Sequence, residues 1–147
     1  MVYLLDTNIV ILYLRSHAIA DKVDALHNPL GKENTALISV VSVGELRAIG
    51  LMNDWGKARM KRLESVLSEL LITDINVEEV IEMYAEIEAY SQNRLAGKTL
   101  NQTPRNMGKN DIWIAATAAV TKAKLLTTDK DFMHLDGKYF EVLHFQN

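Results

Sequence analysis

The chain predicts an α/β fold: a three-layer α/β/α sandwich around a mainly parallel central sheet. Short apolar, β-branched runs alternate with stretches of helical periodicity from one end to the other. The runs are almost continuously apolar rather than alternating, as strands covered on both faces are. The length of 147 residues suits one domain with a sizeable core, and no internal repeat or low-complexity tract divides it.

Taken in order, "VYLL" from Val2 reads as the first strand, with a helix opening near Thr7 or Asn8. In "SHAIADKVDALHNP", Ser16 is the expected N-cap; Ile19, Val23 and Leu26 share a face, and Pro29 lies beyond the end. "TALISVV" reads as the second strand. Ser42 then opens a helix through "VGELRAIGLM", and "WGKARMKRLESVLSEL" continues helical with Met60, Leu63, Val66, Leu67 and Leu70 on one side. "LLITDI" is the third strand. Asn76 and Glu79 have the spacing of a capping box for the helix that carries Val80, Ile81, Tyr84, Ile87 and Tyr90. The polar stretch from Gln92 to Lys109 is a long loop, and its length marks it as a functional candidate. "DIWIAATAAVTKA" is helical, "KLLTT" is the fourth strand and "FEVLHF" the last.

Hydrophobic residues make up 48% and charged residues 24%, which suits a soluble globular protein. The absence of cysteine excludes disulfides and thiolate metal sites. No apolar run approaches the roughly 20 residues that span a bilayer. "MVYLLDTN" lacks the charged region and cleavage site of a signal peptide, so a cytoplasmic place with no membrane partner is expected. A net charge of −3 argues against non-specific coating of nucleic acid. The charges are nevertheless segregated. Arg47, Lys57, Arg59, Lys61 and Arg62 cluster; Arg94, Lys98, Arg105 and Lys109 form a second basic segment; an acidic block from Asp74 to Glu88 holds no base.

In open α/β sheets, ligands bind beyond the carboxyl ends of the strands. Asp6 follows the first strand, Asp129 follows the fourth, and Glu45 lies early in the helix leaving the second. Asp111 opens the helix that feeds the fourth strand. Because that helix runs antiparallel to the strands, its start is expected at the opposite edge unless the long loop crosses over. Each acid also has a local explanation. Asp6 and Asp111 suit helix N-caps, Glu45 suits a helix dipole, and Asp129-Lys130-Asp131 suits a polar turn. Three acids on one sheet edge are harder to explain singly. Packed carboxylates raise one another's pKa, whereas a hard divalent cation such as Mg²⁺ or Mn²⁺ favours them as ligands. Four acids without cysteine point to phosphodiester chemistry more than to zinc hydrolysis.

The four motifs "LLDTNIVI", "SVVSVGELRAIG", "NDIWIAATA" and "LLTTDKDF", in that order from Leu4 to Phe132, resemble the PIN-domain nucleases, and more narrowly the toxin subunits of VapBC-type toxin–antitoxin pairs. The resemblance implies that Asp6, Glu45, Asp111 and Asp129 meet around Mg²⁺ or Mn²⁺, with the helix of Asp111 delivering it to the site. It implies that Thr127 accompanies the last acid and that Thr7 and Asn8 follow the first, Asn8 bracing the site. Either Asp129 or Asp131 fits the fourth acid, with Asp129 favoured. The implied reaction is endonucleolytic hydrolysis of RNA to 5′-phosphate and 3′-hydroxyl ends. Arg47, Lys98, Arg105 and Lys109 are candidates to track the RNA backbone. An antitoxin protein and a homodimer are the implied partners, with Leu12, Leu51, Met52 and Met60 as the candidate apolar docking surface.

Two other classes stay open at this stage. One is a non-catalytic PIN-like module for RNA binding or assembly. The other is an aspartyl-phosphate domain with Asp6 as nucleophile; the dehalogenase pattern, however, wants a second Asp where this chain has Asn8. His17, His27, His134 and His144 show no ligand spacing, and Trp55 and Trp113 read as packing residues.

Overall fold

A computed structural model describes residues 1–147. The strands are β1 (Val2–Leu5), β2 (Thr35–Ser39), β3 (Leu71–Thr73), β4 (Lys124–Thr127) and β5 (Val142–His144). The helices are α1 (Thr7–Leu14), α2 (Ala18–Leu26), α3 (Val40–Met52), α4 (Lys57–Ser68), α5 (Glu78–Ser91) and α6 (Lys109–Thr121), with a 3-10 helix over Lys130–Leu135. All five strands run parallel in the order β3-β2-β1-β4-β5. The chain builds outward from β1 on one side, then crosses to the other, so β1 and β4 flank the switch point where ligand crevices form.

Strand alternation separates two cores. Tyr3, Leu5, Ala36, Ile38 and Leu126 face α1 to α4, where Ile9, Val10, Val23, Leu46 and Leu63 fill the layer. Leu4, Leu37 and Leu125 face the other way, against Ile87, Tyr90, Ile112 and Ile114 of α5 and α6 and Phe132 of the 3-10 helix. This is the expected three-layer sandwich. Gly50 lets α3 and α4 approach: a Cβ there would stand 2.6 Å from Met60 Sδ. No helix is long and apolar enough to cross a membrane.

Several boundaries differ from the sequence expectation, each for a local reason. β2 stops at Ser39, whose hydroxyl accepts from the Val41 amide at 3.1 Å, so the cap ends the β-branched run and α3 starts before Ser42. His17, not Ser16, caps α2, through Nδ1 and the Ile19 amide at 3.1 Å; Ser16 takes φ 48° in the turn before it. Leu26, on the last turn of α2, is 70% exposed rather than part of the buried face, and His27 packs between Tyr3 and Phe145 instead. The Asn76–Glu79 capping box does not form. Val77 occupies the N-cap position, and the Asn76 amide donates to Asp74 Oδ1 at 2.9 Å. β3 and β5, at the sheet margins, are shorter than the apolar runs containing them.

Candidate metal centre

The main-chain amide of Asp6 donates to the Leu126 carbonyl at 3.0 Å, continuing the β1–β4 ladder to its carboxyl edge. Asp6 then caps α1, its Oδ1 accepting from the Thr7 amide at 2.8 Å. Its other oxygen accepts from the Thr127 hydroxyl at 2.7 Å, and that hydroxyl oxygen accepts in turn from the Asp129 amide at 2.9 Å. One buried threonine at the end of β4 therefore joins the acid of β1 to the acid that follows β4.

Glu45 arrives from the second turn of α3. Thr7 Oγ1 lies 2.8 Å from Glu45 Oε1 and 2.9 Å from Ser42 Oγ. A hydroxyl carries one proton and an ionised carboxylate only accepts, so the Thr7 proton serves Glu45 and the Ser42 hydroxyl supplies its own toward Thr7. Ser42 and Glu45 stand three apart on one helix face, a spacing that marks Ser42 as part of the site. From the sequence, Ser42 reads only as a helix start. Asn8 is exposed and its side chain makes no hydrogen bond; the bracing expected of it falls to Thr7.

Asp111 occupies the third position of α6. It is not an N-cap, since Gly108 holds that place without a side-chain bond. The expectation that α6 would start at the opposite edge is also reversed. A helix antiparallel to the strands that ends where β4 begins must start at their carboxyl edge, and α6 ends at Thr121 just before β4 at Lys124. One carboxylate oxygen from each of Asp111, Asp129 and Asp131 lies within 4.8 Å of the other two. Asp129 caps the 3-10 helix, accepting from the Asp131 amide at 2.8 Å. Asp131 is exposed and pairs with Arg105 at 3.2 Å.

Electrostatics register the crowding. Burial leaves Asp6 only 4% exposed and pushes its carboxyl up to about 6. The Thr127 and Thr7 hydrogen bonds oppose that rise, and the charges of Asp129 and Glu45 add to it. Asp111 is raised to about 7 by burial first, then by Asp6, Asp129, Glu45 and Asp131. Five carboxylates thus share one field, in which Arg105 pairs only with the exposed Asp131. Their oxygen-only donor set, strained in this way, suits a hard divalent cation such as Mg²⁺ or Mn²⁺.

The basic candidates are less concentrated. Arg47 turns away from the acids to a bidentate pair with Glu64 on α4, at 3.1 and 3.2 Å. Lys98 pairs with Glu86 at 2.9 Å and lies 4.8 Å from the Tyr139 ring centroid. Arg105 is taken by Asp131. Lys109, exposed at the amino end of α6, makes no ion pair and stands two residues from Asp111. Of the apolar docking candidates, Leu12 is buried in the core and Met60 packs against Gly50. Leu51 and Met52 are exposed at 80% and 75%.

The family model described as PIN domain matches residues 3–138. Among curated proteins, no relative matches the chain. Solved structures do. A VapBC2 complex from Rickettsia felis, bound to a DNA fragment from its promoter, contains a chain 23% identical with a TM-score of 0.78, covering 99% of this chain and 100% of that one. FitAcB from Neisseria gonorrhoeae gives 26% identity and a TM-score of 0.72 over 98% of this chain and 97% of the other. VapBC-1 from nontypeable Haemophilus influenzae gives 22% and 0.72 over 98% of each.

Proposed function

The chain belongs to the PIN-domain family, and from that premise we propose that it is a divalent-metal-dependent endoribonuclease, the toxin of a VapBC-type toxin–antitoxin pair. The observation that carries the reading is the cluster of carboxylates at the carboxyl edge of β1 and β4, two of them raised to about 6 and about 7. Asp6, Glu45, Asp111 and Asp129 would hold Mg²⁺ or Mn²⁺. Such an ion, when bound, lowers the pKa of a water and offsets charge on a phosphoryl oxygen.

The chain's own residues prepare that chemistry. Thr127 keeps the Asp6 and Asp129 carboxyl groups in register, and Thr7 with Ser42 orients Glu45. Asp129 is the better fourth acid, because its charge reaches both Asp6 and Asp111 whereas that of Asp131 reaches Asp111 alone and is paired with Arg105. Lys109 and the amino end of α6 offer positive potential beside the acids, suited to an RNA phosphate. The products would be 5′-phosphate and 3′-hydroxyl ends.

The protein-partner half of the reading is supported by the VapBC and FitAB complexes among the solved likenesses. An antitoxin would cover Leu51 and Met52, beside a groove of about 110 Å³ lined by Ile11, Leu14, Arg15, Trp55 and Arg59.

The direct test is RNA cleavage with Mg²⁺ or Mn²⁺. Wild type cleaves, and Asp6→Asn and Asp111→Asn each lose on the order of 100-fold, the scale of one missing contribution to transition-state charge stabilisation. Equal cleavage by all three proteins would overturn the reading.

A further inference from the structure

Away from the acids, a buried polar contact lies where the long segment that leads into α6 meets the end of α5. Ser91, the last residue of α5, is fully buried. Its hydroxyl is 2.8 Å from His134 Nε2 and 3.6 Å from Met107 Sδ, and its carbonyl accepts from the Arg105 amide at 2.7 Å. His134 is itself buried, with its ring parallel to that of Tyr90 at 6.5 Å between centroids. Burial, and then the Arg105 charge, hold the imidazole below its usual range, so the Ser91–His134 bond joins uncharged partners.

Two of the three segments meeting at Ser91 lead directly to site acids. Met107 precedes Asp111 by four residues, and His134 follows Asp131 by three on the 3-10 helix that Asp129 caps. The segment from 92 to 108 has no helix or strand of its own to fix the start of α6. What holds it are the burial of Leu100 and Met107, the Asn93 side chain accepting the Leu100 amide at 3.0 Å, and the contacts to Ser91. The Arg105–Asp131 pair spans the same two segments, but it is exposed and contributes little. A buried hydrogen bond whose loss strands a polar atom is the stronger tie.

We propose that Ser91 and His134 are positioning residues that lock the segment before α6 to the 3-10 helix, fixing Asp111 relative to Asp129 and so setting the affinity of the acid cluster for its divalent cation. The inference rests on the metal-site reading above. Neither residue touches the ion or the RNA; each acts through the backbone that carries an acid. Groups one step removed from a metal commonly alter affinity by about 10–100-fold when lost.

The experiment is a Mn²⁺ titration of the metal-free full chain by calorimetry, with melting temperatures measured alongside. Ser91→Ala weakens Mn²⁺ binding by about tenfold. His134→Asn, whose shorter amide stops short of Ser91, does the same. His134→Gln places an amide nitrogen near the original Nε2 and holds affinity within about twofold of wild type. Val23→Ala, in the opposite layer, lowers the melting temperature by cavity formation and leaves Mn²⁺ affinity unchanged. Wild-type affinity in both Ser91→Ala and His134→Asn would overturn the proposal, as would a loss in Val23→Ala equal to theirs. No Mn²⁺ binding by wild type would instead overturn the metal-site reading itself.

Discussion

Asp6 and Glu45 are each held by a threonine hydroxyl on regular elements, whereas Asp111 follows a long irregular segment and Asp129 and Asp131 open a 3-10 helix. On the first side, β1 and α1 fix Asp6; Thr127 donates to one Asp6 oxygen at 2.7 Å and Thr7 to one Glu45 oxygen at 2.8 Å, with Ser42 bonded to Thr7. On the second, Asp111 follows a long segment without regular structure, and Asp129 and Asp131 start a single 3-10 helix. The first half is built on the central strands β1 and β4, whose Leu4, Leu5, Leu125 and Leu126 are buried on the two faces of the sheet. The second is adjustable, because its geometry depends on contacts between segments far apart in sequence. Under the proposed function, a cation joining the two halves would meet the strand-held acids on one side and the loop-tethered acids on the other.

The largest expected contrast is in pH dependence without metal. The folded protein raises Asp6 from 3.8 to about 6, so folded chains bind more protons than unfolded ones in that interval. The Asp6 contribution to stability therefore falls as pH rises from about 4 to about 6 and levels off above, with Asp6 costing about 3 kcal/mol once ionised. Urea denaturation of metal-free wild type and Asp6→Asn isolates this contribution. Asp6→Asn gains relative stability as pH rises, and a constant difference between the two proteins across the interval would refute the account of the buried half. Asp111, raised from 3.8 to about 7, adds a component of the same sign that extends to about 7.

Next in size is Thr127→Val. It keeps the shape of the side chain but strands one Asp6 oxygen and the Asp129 amide, costing about 1–3 kcal/mol in thermal or urea unfolding. Thr127→Ser restores the hydroxyl and most of the stability. If Val and Ser behaved alike, the hydroxyl bridge between the halves would carry no weight. The smallest effect is expected for Arg105→Ala on the exposed side, within about 0.5 kcal/mol of wild-type stability in the same assay. A loss several times larger would mean that the Arg105–Asp131 pair, rather than the buried Ser91–His134 contact, ties the adjustable half.

The same division explains what could be read from the sequence. Asp6 and Asp129 were legible because a short apolar run followed by an acid identifies a strand end directly, whereas Thr127 came only with the family resemblance. The helices of the first layer were legible from their periodicity. Asp111 needed the topology, since its place depends on the direction of α6, and the local reading put its start at the wrong edge. Ser91–His134 and Arg105–Asp131 join positions 43 and 26 residues apart with no repeating pattern, so only the folded chain reveals them. The Asn76 capping box failed for a different reason: Asp74 took the Asn76 amide first.

The proposed function requires the single-site arrangement, in which the two sets of acids bind one cation together. It is tested most directly by calorimetric titration of metal-free protein with Mn²⁺ at about pH 6 and about pH 7.5, since a divalent cation must displace the protons held by Asp6 and Asp111. The account predicts affinity at least about tenfold higher at the upper pH, and loss of binding in both Asp6→Asn and Asp111→Asn, one from each half. Equal affinity at the two pH values, or undiminished binding in either variant, would contradict it.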